Sequence, residues 1–213
     1  TVPVTLPDGR VQPTFPMFGT REYFLRGESR AALLDGRWDA SAAVSYTDYN
    51  RRNNNPRSDP SETLQHTRFQ GDTLEFSLDN DVYLNEAHTL TLGGGTKKES
   101  MNNDGFSDFG GVVISKLSHA SERTNYAYVQ DQFSFAKRVF GTAGLRLDDR
   151  DDFGTELTYR LTGVYRYQPT ATRFSGSVGT GFRAPSLFEL FGFTPNNFGS
   201  AYRGNPDLEP EKN

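Results

Sequence analysis

The chain has 213 residues, a net charge of -4, 34% hydrophobic residues and a mean hydropathy of -0.68, too little apolar material for a well-filled soluble core of this length. A pI near 5.4 argues against a nucleic-acid partner, whose phosphates call for a basic surface. With no cysteine there is neither a disulfide framework nor a thiolate metal site, and no apolar run is long enough for a transmembrane helix.

The first segment, Thr1 to Thr20, carries Pro3, Pro7, Pro13 and Pro16 without a strand period and reads as irregular loop. Period-two alternation then recurs, predicting strands near Phe24 to Leu34, Trp38 to Tyr49, Thr67 to Asp79, His88 to Lys98, Asn125 to Phe135, Val139 to Asp148, Thr155 to Tyr167 and Thr172 to Gly181. Trp38, Ala40, Ala42, Val44 and Tyr46 share one face, against Asp39, Ser41, Ser45 and Thr47. Leu157, Tyr159, Leu161, Tyr165 and Tyr167 oppose Thr158, Arg160, Thr162 and Arg166. In Asn125 to Phe135 both faces carry aromatic or apolar residues, and the pattern leaves open which one meets apolar surroundings.

Links alternate in length. Asp35-Gly36, Ala136 to Arg138 and Gln168 to Ala171 are short, whereas Asn50 to His66, Glu99 to Thr124, Asp149 to Gly154 and the stretch after Gly181 are longer. Asp79 to Ala87 is longer than its place on the short side predicts. With 17 Phe and 10 Tyr set among polar residues, the apolar surface comes in large side chains, which suits strands showing lipid on one side and water on the other. Short turns on the periplasmic side and long loops outside are the pattern of an outer-membrane barrel.

Near the end, Gly179 to Gly192 reads GTGFRAPSLFELFG and Gly204 to Lys212 reads GNPDLEPEK. Together these resemble the signature of TonB-dependent outer-membrane transporters, in which a strand ends, an extracellular excursion follows and an Asn-Pro-Asp-Leu-x-Pro-Glu segment leads into the next strand. Leu145 to Gly154, LRLDDRDDFG, is similar to a strand-to-loop passage of the same family. The resemblance implies an all-β fold, an antiparallel transmembrane β-barrel segment of about eight strands out of roughly 22 in a plugged barrel. It divides the chain into a loop at 1–20, barrel strands over 21–181 and a signature loop over 182–213.

The implied location is the bacterial outer membrane, and the implied function is import of a bulky ligand such as a ferric siderophore or cobalamin. The implied partners are outer-membrane lipid, the metal-chelate or cobalamin-like ligand, and TonB through a plug domain outside this chain. No catalysis, cofactor or resident metal is expected. The start at Thr1 without a leader, and the stop at NPDLEPEKN where another strand would begin, read as an excerpt of a longer protein. Other readings are a complete eight-stranded outer-membrane barrel with a structural or adhesive role and, behind it, a lipid-modifying barrel enzyme.

Arg183, Phe188, Phe191, Tyr202 and Arg203 place planar cations and aromatics beyond the strand end, where they can contact a large anionic or aromatic ligand. Arg183, Pro185 and Phe188 suit a purely structural role as well; Tyr202 and Arg203, farther out, are the better ligand candidates. Gly179 to Ala184 matches G-x-G-x-x-A, but a dinucleotide site also needs a helical crossover and a parallel strand. Asp148, Asp149, Asp151 and Asp152 could hold calcium, yet lack the glycine and spacing of an EF-hand loop. Asn102, Asn103, Asp104 and Asp108 form a second polar stretch, and His66, His88 and His119 have no metal-ligand spacing. Arg51, Arg52 and Arg57 could attract anionic ligands or lipid phosphates.

Overall fold

The computed structural model describes residues 4–5, 11–12, 16–56, 63–195 and 201–213. β1 (Val4–Thr5) and β2 (Val11–Gln12) form a small antiparallel ladder. β3 (Met17–Leu33), β4 (Trp38–Asn55), β5 (Leu64–Asn85), β6 (His88–Phe109), β7 (Val112–Phe135), β8 (Val139–Arg150), β9 (Gly154–Tyr167) and β10 (Thr172–Gly179) make one eight-stranded antiparallel sheet, each paired with its neighbour in sequence. β3 and β10 lie at opposite ends of this order and do not pair, so the sheet does not close into the small barrel considered above.

All eight expected strands form, but most are longer than the apolar alternation indicated. The largest correction is Glu99 to Thr124, expected as loop, which is ladder throughout: Glu99 pairs with Glu122 and the register runs unbroken to Phe109 opposite Val112. Gly110 and Gly111 close it, both at positive φ, the conformation a tight hairpin turn needs and glycine adopts without steric cost. A ladder needs only paired amides, so it continues through polar residues where the apolar face has ended. Likewise β4 and β5 extend into Asn50 to His66, β3 begins at Met17 inside the segment expected as loop, and β5 runs on to Asn85, leaving only Glu86 and Ala87 as a turn. Within 1–20, β1 and β2 also depart from the expected loop, and residues 1–3, 6–10 and 13–15, like Arg57, fall outside the described residues.

Register sorts the side chains into two faces. Ser29, Ala42, Leu78, Gly94, Ala127, Leu147 and Leu157 form one transverse row across seven strands, and Ala31, Ala40, Asn80, Leu92, Val129, Leu145 and Tyr159 form the next. This apolar face is bare among the described residues: Leu157 is 62% exposed and Leu161 47%, with no second sheet of those residues packed over them. Large apolar side chains left uncovered in rows are what a lipid-facing wall requires. The face left open for Asn125 to Phe135 is now fixed, since Ala127 and Val129 lie in the apolar rows while Tyr126 and Tyr128 lie on the polar face. Asp131, the charge interrupting that apolar face, is held by His88 Nδ1 at 2.8 Å.

On the polar face the two tyrosines lie across β6 and reach carboxylates on β5. Tyr126 Oη donates to Glu75 Oε1 at 2.8 Å, and Tyr128 Oη donates to Asp79. Only glycine leaves room beneath them: a Cβ at Gly93 would sit 2.2 Å from the Tyr128 ring and one at Gly95 2.7 Å from Tyr126 Oη. At the short-turn end, Trp38 Nε1 donates to Asn80 Oδ1 at 3.0 Å, so the half-buried indole's proton is satisfied within the apolar face.

Two outcomes follow in the full-length protein. Gly93→Val should destabilise it by about 1–3 kcal/mol in urea unfolding from lipid, because Tyr128 must leave Asp79, whereas Gly163→Ala, with nothing near its Cβ, should stay close to wild type. Leu161→Arg should cost about 2–4 kcal/mol if that row lies near the bilayer midplane, and a neutral effect would contradict lipid exposure.

Candidate functional site

After Gly179 the chain leaves the sheet edge and folds back over the polar face. Thr180 makes the departure: its amide donates to Tyr159 O at 2.9 Å while its hydroxyl accepts from the Tyr159 amide at 3.1 Å. β11 (Phe182–Arg183) follows, then α1 (Leu187–Phe191), β12 (Phe193–Pro195), β13 (Ala201–Arg203) and β14 (Glu211–Lys212). β12 pairs with β13, and β11 pairs with β14. The described residues of the 182–213 segment, expected as a loop, therefore include four short strands and a helix.

A helix as short as α1 cannot stand on propensity alone. Ser186 caps its first turn reciprocally, the hydroxyl accepting from the Glu189 amide at 3.2 Å and the Glu189 carboxylate accepting from the Ser186 amide at 2.7 Å. The second half of the signature closes the other end. Asn205 N donates to Glu189 O at 2.9 Å, and Gly204 N donates to Gly192 O at 2.8 Å. A Cβ on Gly204 would lie 2.5 Å from the Leu190 carbonyl carbon, so glycine is required for this approach. Asn205 Oδ1 then accepts from Asp207 N at 3.0 Å, turning the chain toward β14.

Arg183 ties the two halves together by charge. Its guanidinium lies 2.7 Å from Glu189 Oε1 and 3.4 Å from Glu211 Oε1. The Ser186 amide and the Arg183 guanidinium together hold the Glu189 carboxyl down at about 2. Arg183 is raised in turn by the same carboxylate.

The excursion rests on the wall through β12. Phe193 is fully buried above Gly105, where a Cβ would meet its ring at 2.6 Å, and its amide donates to Asn103 Oδ1 at 2.5 Å. Gln65 Nε2 donates to the Pro195 carbonyl. With Leu187, Leu190 and Met101, these residues make the main apolar core among the described residues. An aromatic ladder continues along the wall: Tyr49 and Phe69 are 5.9 Å apart edge to face, Phe69 and Phe188 5.7 Å, and Phe188 and Tyr202 stack at 5.3 Å. Beside it opens a cavity of about 350 Å³ lined by Tyr49, Arg51, Phe69, Asn103 and Phe188. A second, of about 450 Å³, lies under Pro185 and Leu187 and is floored by Lys97, Glu99, Glu122 and Arg150.

Of the residues singled out by sequence, Phe188 and Tyr202 come together in the ladder and Arg183 is engaged with two glutamates. Arg203 lies over the Phe193 ring at 5.3 Å with its side chain exposed. Phe191 is 39% exposed and joins no ring contact among the described residues. Arg51 and Asn103 were noted in the sequence only as members of separate polar stretches, and sequence reasoning missed Tyr49 and Phe69. Their signal was parity, since Tyr49 and Phe69 are aromatics at positions that alternation assigns to the polar face.

The other constellations resolve into structure. Arg146 grips Asp148 with two hydrogen bonds of 2.7 and 2.8 Å, Arg150 holds Asp152 at 3.2 Å, and Asp149 accepts from Thr155 at 3.0 Å. The acidic stretch is thereby occupied by its own neighbours, and no group of three or more metal-ligating residues exists among those described. His119 Nδ1 meets Asn102 Oδ1 at 2.7 Å. The G-x-G-x-x-A match leads into antiparallel pairing and a five-residue helix, without the parallel crossover a dinucleotide site needs.

A family model described as TonB dependent receptor-like, beta-barrel, matches residues 5–213. The chain is 32% identical over 158 residues to the iron-regulated outer membrane virulence protein of Vibrio cholerae serotype O1, covering 70% of this chain and 23% of that protein. It is 32% identical over 143 residues to the vitamin B12 transporter BtuB of Vibrio vulnificus, covering 65% of this chain and 21% of that one. The chain thus spans about a quarter of the length of the curated relatives it matches. Among solved structures, the siderophore receptor PirA from Pseudomonas aeruginosa superposes with a TM-score of 0.55 at 18% identity, over 91% of this chain and 40% of that one. The RagAB peptide importer in its closed-closed state gives 0.57 at 14% identity, over 92% of this chain and 27% of that chain. Both likenesses are of fold.

The clasp has a pH signature. Because the Glu189 carboxyl is held below its ordinary value of 4.5, its stabilising contribution is complete above that value and is lost only as pH falls through about 2. A carboxyl titration by NMR should find Glu189 still ionised at about pH 3, and Arg183→Ala should move its midpoint upward. An unshifted midpoint in the intact protein would remove the clasp.

Proposed function

The chain belongs to the TonB-dependent receptor β-barrel family, and from that membership we propose that it supplies eight neighbouring strands of an outer-membrane transporter. The bare apolar face meets lipid and the polar face lines the lumen. The short turns lie on the periplasmic side, and the long hairpins and signature excursion on the extracellular side. The transported ligand is a bulky metal chelate or corrinoid of the kind that the names of a vitamin B12 transporter and a siderophore receptor indicate. Energy comes through TonB, acting on a plug outside this chain. The role is capture and passage, without a covalent step.

The observation that carries this reading is the excursion itself. Two sequence segments that resembled the family signature fold into one clasped unit seated on the polar face, beside a cavity lined by aromatics and Arg51. Lumenal aromatics with guanidinium groups suit a large ligand carrying negative charge and conjugated rings. Arg183 and Phe188 act in this scheme by holding the excursion's shape. Tyr202 and Arg203 present surface to the ligand, and Phe191 contributes exposed apolar area next to them.

The test is a double substitution, Tyr202→Ala with Arg203→Ala, in the full-length transporter. Ligand capture by assembled protein should weaken by roughly tenfold or more, the usual cost of truncating an aromatic and an arginine at a binding surface. Assembly is read separately from heat-modifiable migration in gels. Unchanged capture by a correctly assembled double variant would leave the excursion a structural element only.

A further inference from the structure

On the apolar face, two cations stand directly opposite each other across the β6–β7 ladder: Lys98 pairs in register with Arg123. Both are exposed, and among the described residues neither makes an ion pair, a side-chain hydrogen bond or a ring contact. Like charges directly opposite in a ladder are unfavourable. On the polar face nearby, Lys97 of β6 lies 2.8 Å from Glu99, and Arg150 of β8 holds Glu122 and Asp152. The acids in the rows flanking the pair on its own face, Asp48, Asp72 and Asp149, and Asp151, whose amide donates to Arg123 O at 3.1 Å, form no ion pair with it. An unpaired pair of cations thus stands at the edge of a face that is mostly apolar.

Its position specifies what would neutralise it. Lys98 and Arg123 occupy the row that also holds Tyr46 and Leu74, at the upper limit of the apolar rows. Below them, the side chains of β6 and β7 are small, Thr96 with Asn125 and then Gly94 with Ala127. Larger ones stand on either side, Phe76 and Leu78 on β5 and Leu147 on β8. Neighbouring strands lie about 4.8 Å apart, so this shallow trough is about 14 Å across from β5 to β8, room for acyl chains side by side. Apolar trough and cation pair are continuous, which is the outline of a lipid with a phosphorylated headgroup.

We propose that this trough is a binding site for a phosphorylated outer-leaflet lipid, with the acyl chains against Gly94 and Ala127 and a phosphate bridging Lys98 and Arg123. The phosphate turns a repulsive pair into two charge-assisted contacts, and the chains complete the packing over the small residues. The site lies on the opposite side of the wall from the excursion. Its occupancy is therefore independent of ligand capture in the lumen.

The test uses full-length protein stripped of lipid in detergent and probed by native mass spectrometry with diphosphorylated lipid A, its dephosphorylated counterpart and inorganic phosphate. Wild type should bind the diphosphorylated lipid, and Lys98→Gln with Arg123→Gln should weaken this roughly tenfold or more. Lys98→Arg with Arg123→Lys should retain it, and Lys137→Gln, at a turn on the other end, should leave it unchanged. Ala127→Phe, which fills the trough without touching the cations, should weaken it too and decides the matter if the neutralised variant does not assemble. Equal binding by the neutralised or filled variants, equal loss in Lys137→Gln, equal binding of dephosphorylated lipid, or full displacement by inorganic phosphate would each overturn the assignment.

Discussion

Everything in this wall depends on the register of its ladders. Side chains alternate with a period of two, so a slip by one residue anywhere would exchange the faces of every strand beyond it. The alternation persists from β3 to β10, so that leucines and valines of successive strands meet in continuous transverse rows. In lipid the backbone has no water to bond with, and an unbroken ladder is how strands cross it without orphaned amides. That requirement also explains why the ladders run past the apolar rows into polar sequence: each added pair satisfies two more backbone groups.

Register also creates the places where the two faces become specific. Gly93 and Gly95 are open ground that the rings of Tyr126 and Tyr128 cover, placing their hydroxyls on carboxylates one strand farther on. Gly105 does the same for Phe193, a residue far away in sequence, and anchors the excursion to the wall. In each case an aromatic from elsewhere fills the space of a missing Cβ. Glycine within a strand lowers its intrinsic stability, and here the lost packing is restored by a side chain whose polar atom or amide also finds a partner.

The existence and order of the eight strands were legible in the sequence because alternation is a local signal. Their lengths were not. Beyond Lys98 and before Asn125 the apolar face disappears, and only Gly110-Gly111 between Phe109 and Val112 hinted that the chain reverses in a tight turn. The faces of β7 were ambiguous because Tyr126 and Tyr128 are lumenal aromatics, and the decision needed their partners Glu75 and Asp79 on a strand two places away. The signature was legible as two halves in order. Its mechanics, with Gly204 and Asn205 sealing the end of a helix begun at Ser186, required knowing that residues about twenty apart meet. Arg183 meets Glu189 and Glu211, and Phe188 lies between Phe69 and Tyr202, contacts that the sequence could not show. Tyr49 and Phe69 lay inside expected strands with nothing local to mark them, and Asn103 lay in a polar stretch read as loop.

The central claim is that one face of this sheet meets lipid and the other a watery lumen. Because the chain contains no cysteine, single cysteines introduced one at a time along Thr155 to Tyr167 can carry a spin label without a competing site in this segment. In the full-length protein in bilayers, the labels' collision rates with oxygen, which concentrates in lipid, and with a water-soluble nickel chelate should alternate with a period of two. Positions 157, 159, 161 and 165 should favour oxygen, and 156, 158, 160 and 162 the chelate. Accessibility that fails to alternate, or that alternates in the opposite phase, would contradict the account.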